Sequence, residues 1–149
     1  SLELPLRGAA VLADAGAELE ERLGAIGRSL GILFQMQDDL LGVFGDPQQT
    51  GKSTCGDLRE GKQTLLVAFA RDSRVWKSAA AGFGDPELDE AGAATLRAAL
   101  ESSGARTSFE AEIRREHEHV VRLVTSAGLP DDLERSLCRA ADQAMERQA

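Results

Sequence analysis

Residues 17–44 read AELEERLGAIGRSLGILFQMQDDLLGVF, and their periodicity decides the fold class. Leu19, Leu23, Ile26, Leu30, Phe34 and Leu41 recur at steps of three and four residues or their sums. That spacing predicts one long amphipathic helix from about Ala17 to Phe44. Gly45-Asp46-Pro47 stops it, and residues 45–61 read as a loop broken by Gly45, Pro47, Gly51 and Gly56. A helix is expected to resume near Gly61, carrying Leu65, Leu66 and Phe69, with a short segment around Trp76 after it. Asp89 is a candidate N-cap for a helix through Leu96 and Leu100, closed by Gly104. Thr107-Ser108-Phe109-Glu110 has capping-box spacing and predicts the start of a helix with Phe109, Ile113, Val120 and Val124 on one stripe. Gly128 and Pro130 end it. A last helix aligns Leu133, Leu137, Ala140 and Ala144. No period-two strand pattern occurs, so the expected class is all-α.

Composition bounds the function. The chain has 149 residues, the size of one domain. Lys and Arg number 17 against 25 Asp and Glu, a formal net charge of −8. Such a surface opposes nonspecific attraction to nucleic acid or anionic lipid. With no Tyr, one Trp and five Phe, base-stacking platforms are not expected. No apolar run approaches the roughly 18 residues of a bilayer span. Cys55 and Cys138 match no metal or redox spacing and are expected as free thiols of a cytoplasmic protein.

The polar face of the long helix carries the chemistry. Gln35, Asp38, Asp39 and Gly42 lie at i, i+3, i+4 and i+7, within one sector, and Arg28 and Gly31 extend the stripe. Two adjacent carboxylates in a largely apolar helix repel and lose hydration, so a cation is expected to face them. Mg²⁺ suits oxygen ligands of this kind, using one or two carboxylates together with substrate phosphates. A solvated pair of Asp is the plainer alternative. The next segment supplies Asp46, Lys52 in Thr50-Gly51-Lys52, Asp57 in Gly56-Asp57-Leu58, and Lys62 in Gly61-Lys62-Gln63-Thr64. Lysines on glycine-flanked turns could clamp a diphosphate.

The string from Phe34 to Asp46, followed by Thr50-Gly51-Lys52, Asp57-Leu58 and Gly61-Lys62-Gln63-Thr64, resembles the second aspartate-rich region of trans-isoprenyl diphosphate synthases, the polyprenyl synthetase family. Leu4-Pro5-Leu6-Arg7-Gly8-Ala9 resembles the family's preceding helix, and the wording is nearest to geranylgeranyl-type enzymes. The match is dense over residues 4–66 and diffuse beyond. The resemblance implies the C-terminal part of an isoprenoid-synthase-type helical bundle. It also implies Mg²⁺-dependent condensation of an allylic diphosphate with isopentenyl diphosphate, commonly by a homodimer. It implies that Asp38 ligates magnesium, that Asp39 supports that ion through water, and that Lys52 contacts the allylic diphosphate. Phe34 and Gln35 would flank the reacting groups, while Lys62 and Asp57 order the loop over the metals.

The chain departs from the family pattern at Gly42, where a further Asp is common; Asp46 is a candidate substitute. The family's first aspartate-rich motif and the Lys-Thr pair that touches diphosphate would lie upstream. Residues 1–149 are therefore expected to form the C-terminal half of a synthase domain, with little or no activity alone and apolar helix faces that invite self-association. A noncatalytic helical subunit or regulatory partner of a synthase is the competing reading, and a terpene cyclase is a third.

Two other motifs fail on inspection. The segment from Gly45 to Ser53 has five residues between its glycines and follows a helix, unlike a P-loop. His117-Glu118-His119 lacks the second zinc-protease His, because Val121 stands there, so His117 is expected to be a partly buried structural residue. The charged run from Glu110 to Glu118 reads as a solvated helix face.

Overall fold

Burial of one stripe per helix organises the chain. A computed structural model describes residues 2–45 and 55–146. In chain order the helices are α1 (Glu3–Leu12), α2 (Ala17–Phe44), α3 (Gly56–Arg59), α4 (Leu65–Ala70), α5 (Arg74–Ala79), α6 (Glu90–Ser102), α7 (Ala105–Ser126) and α8 (Asp131–Glu146). A 3₁₀ turn, Ala80–Gly82, follows α5. No strand occurs among the described residues, so the protein is all-α.

Two compact units divide the chain. Of the described residues, 2–37 and 113–146 form the first. Its core takes Leu23, Ile26, Leu30 and Leu33 from α2, Ile113, Val120 and Val124 from α7, and Leu137, Ala141 and Ala144 from α8. Of the stripe expected on the last helix, Leu137 and Ala144 are buried, Leu133 and Ala140 are half-buried, and Ala141 is buried in addition. Helix α1 crosses close to α2, since a Cβ on Gly27 would lie 2.5 Å from the Leu2 carbonyl oxygen and 2.8 Å from Glu3 Cα. Arg7 reaches Glu20 at 2.8 Å, and Arg28 pairs with Glu3. These ion pairs are largely exposed and set registration more than stability. Backbone cannot swing aside as a side chain can, so Gly27→Ala is expected to cost about 1–3 kcal/mol. Urea unfolding of the 149-residue chain checks this; an unchanged midpoint refutes the close crossing.

Of the described residues, 38–45 and 55–112 form the second unit. Leu40 and Val43 at the end of α2, Leu58, Leu66, Val67, Trp76, Leu96, Leu100 and Phe109 make its core. Trp76 meets Phe83 edge to face at 5.4 Å, and α5 packs on α6. The Arg106 guanidinium lies 4.5 Å from the centre of the Phe44 ring, a cation–π contact.

Three local expectations change. The segment expected to be loop through residue 61 contains α3, closed by the Arg59 amide donating to the Cys55 carbonyl at 2.9 Å and anchored by buried Leu58. The following helix starts at Leu65 rather than near Gly61, because Thr64 Oγ1 accepts from the Val67 amide and caps it there. The capping box at Thr107 does not form. Gly104, at φ +77°, turns the chain directly from α6 into α7, whose first residue is Ala105. Ser103 Oγ takes the Ala105 amide at 3.3 Å, and Glu110 is occupied by Arg106 at 2.9 Å. Asp89, by contrast, caps α6 as expected, accepting from the Gly92 amide at 2.8 Å.

Cys55 and Cys138 are free thiols. His117 is half-buried with Nε2 2.8 Å from Asp142 Oδ1, a structural setting. No described helix is long and apolar enough to cross a membrane. Ile32 on α2 is 48% exposed, and α1 leaves Val11 and Leu12 exposed as well.

Candidate active site

The acidic stripe on α2 splits into two environments. Asp38 faces solvent, whereas Asp39, one residue on and turned by about 100°, is buried. A buried carboxylate needs a compensating cation, and Lys62 supplies it. Its Nζ donates to Asp39 Oδ1 at 2.8 Å and to Asp57 Oδ2 at 3.2 Å. The cation expected opposite the carboxylates is thus, for Asp39, a lysine of the chain itself.

Local backbone brings Lys62 there. Asp57 stands in the first turn of α3. Gly61 follows with φ +64°, a left-handed conformation that reverses the chain, and the Lys62 amide donates to the Asp57 carbonyl at 3.0 Å. Gly61 also abuts Gly84, where an added Cβ would lie 3.0 Å from Cα. The ammonium remains part-exposed. Its pKa is raised, first by the hydrogen bond to Asp39 against the cost of burial, then by Asp57.

Gly42 acquires a steric reason. A Cβ there would lie 2.5 Å from Asp57 Oδ2, so the space a side chain would take on α2 is taken by the Asp57 carboxylate. Phe34 is half-buried and Gln35 is exposed, four and three residues before Asp38 on the same helix. Lys52 and Asp46, expected to contact diphosphate and to replace the missing Asp, lie outside the described residues.

The donors gathered here are carboxylate oxygens, the set a hard divalent cation prefers. No group of three or more His, Cys, Asp or Glu able to hold a metal occurs among the described residues.

Sequence reasoning missed the groups behind this site. Arg59 donates to the Leu88 carbonyl at 2.8 Å, and Arg97 donates to the Val43 carbonyl at 2.9 Å. These partners lie 29 and 54 residues apart in the chain, beyond the reach of any local pattern.

Known proteins resemble the chain in sequence and in fold. A farnesyl diphosphate synthase of Mycobacterium tuberculosis is 35% identical over 94% of this chain and 41% of its own. The geranylgeranyl pyrophosphate synthase of Corynebacterium glutamicum, solved with isoprenyl diphosphate and magnesium, superposes with a TM-score of 0.80 at 31% identity. That match covers 89% of this chain and 39% of the other. The polyprenyl synthase of Caulobacter crescentus, solved with calcium and isoprenyl diphosphate, gives 0.85 at 28% identity, covering 99% and 46%. This chain thus spans less than half the length of the curated relatives it matches. Residues 1–81, which include the whole acidic stripe together with Lys62, match the polyprenyl synthetase family, and to that family the chain belongs.

Proposed function

We propose that this chain is the C-terminal part of a prenyl diphosphate synthase that joins an allylic diphosphate to isopentenyl diphosphate. The observation that carries the reading is the split acidic stripe. One carboxylate, Asp39, is neutralised from within by Lys62, and its neighbour Asp38 is presented to solvent. The magnesium- and calcium-bound relatives support a divalent ion here, and we assign it as Mg²⁺.

In this reading the C–O bond of the allylic diphosphate breaks first, and the diphosphate leaves with the electron pair. The ion, when bound, stabilises the negative charge that develops on that leaving group. Asp38 offers carboxylate oxygen to the ion, and Asp39 acts behind it. Lys62 holds Asp39 and Asp57 in register. Lys52 is assigned to the departing diphosphate. Gln35 gives the isopentenyl group a polar contact, and the Phe34 ring faces the allylic cation. Attack by the isopentenyl double bond forms the new C–C bond, and loss of a proton completes the step.

The remaining metal ligands are assigned to a preceding segment. A homodimer and a cytoplasmic location belong to the same reading. The purified 149-residue chain, given Mg²⁺, an allylic diphosphate and radiolabelled isopentenyl diphosphate, is expected to show at most trace turnover. The full-length protein carrying this segment is expected to elongate prenyl chains. Turnover by the short chain near that of a complete enzyme overturns the half-site assignment; no elongation by the full-length protein overturns the function.

A further inference from the structure

Helix α6 carries Glu90 and Arg97 seven residues apart, two turns along one face. Arg97 Nε donates to the Val43 carbonyl at 2.9 Å, one of the terminal carbonyls of α2 that have no intrahelical partner. Its Nη1 donates to Glu90 Oε1 at 2.8 Å. Glu90 Oε2 accepts from the buried Cys55 thiol at 2.9 Å, at the start of α3. Just before α6, the Leu88 carbonyl takes Arg59, the last residue of α3. One stretch, residues 88–97, therefore grips the end of α2 and both ends of α3. Asp39 rides on the first of these helices and Asp57 on the second.

We propose that Arg97 and Glu90 are positioning residues, a bracket that fixes the separation of Asp39 and Asp57 on which Lys62 depends. The inference rests on the proposed prenyl-transfer function for its consequence, but not for its geometry. Glu90 is 72% exposed, so its ion pair with Arg97 adds little to global stability and its role is local. The Glu90 carboxyl is held below the usual carboxylate range, first by the Arg97 hydrogen bond and then by the Cys55 thiol, so it stays charged at neutral pH.

The test uses Arg97→Met, Arg97→Lys and Glu90→Gln. In the 149-residue chain, amide hydrogen exchange of Arg59 and Lys62 should quicken about tenfold or more in Arg97→Met, with α8 unchanged. In the full-length protein the same variant should lower kcat about tenfold and raise the Mg²⁺ concentration needed for half-maximal rate. KM for isopentenyl diphosphate should stay near its original value, and Arg97→Lys should recover part of kcat. Unchanged exchange at Arg59 and Lys62 overturns the bracket. Faster exchange with unchanged kcat and Mg²⁺ dependence overturns its positioning role. Absence of prenyl transfer by the unsubstituted full-length protein overturns the functional reading instead, and exchange then still decides the bracket.

Discussion

Asp38→Ala in the full-length protein is expected to lower kcat by about 10²- to 10³-fold, the usual loss when a preorganised stabiliser of developing charge is removed. Stability should not follow. Asp38 is exposed in the interior of a long helix, where a polar contact adds little and alanine is a better helix former than aspartate. The pairing of a large kinetic loss with an unchanged unfolding midpoint is the signature of a residue that acts on substrate or ion. Steady-state rates over a Mg²⁺ series measure it. A kcat within a few-fold of the original rejects the metal role of Asp38, whatever the family pattern implies.

Lys62→Met should act in the opposite manner, through the fold first. Methionine retains the length of the side chain and removes its charge. Asp39 and Asp57, with side chains 13% and 26% exposed, then lose the ammonium that they share. Breaking a fully buried pair typically costs about 3–5 kcal/mol. Lys62 is 40% exposed, so solvent screens part of this, and about 1–3 kcal/mol is expected at pH 7. The pH dependence has a defined sign. A lysine whose folded pKa is raised contributes stability that is complete below its unfolded value and is lost as pH rises through the folded value. The gap between the original chain and Lys62→Met should therefore be constant through neutrality and shrink only above about pH 10. Urea midpoints at pH 7 and in strong alkali test it. A gap that is absent at pH 7, or equal at both, removes Lys62 from this role.

The long helix was readable because its apolar period runs for 28 residues without a proline, and its bounds are those expected. The acidic stripe was readable for the same reason, since one helical face depends only on spacing. What spacing could not reveal was which of two adjacent carboxylates is buried. That depends on Lys62, 23 residues beyond Asp39. Helix α3 escaped because Gly56 and its polar neighbours look like loop; burial of Leu58 and the Arg59–Leu88 bond hold it instead. The capping box at Thr107 was a sound local motif that lost to Gly104, which turns the chain into α7 so early that Ser103 Oγ takes the Ala105 amide and Thr107 lies inside the helix. Cys55, Glu90 and Arg97 carry no local signal at all, because their association is purely tertiary.

The engagement of Lys62 with two carboxylates also limits what it can offer a ligand. Two of the three N–H donors of its ammonium are given to Asp39 and Asp57, at 2.8 and 3.2 Å. The side chain is 40% exposed, so the third donor can reach solvent. A diphosphate held at this face can therefore take one hydrogen bond from Lys62 without breaking either ion pair.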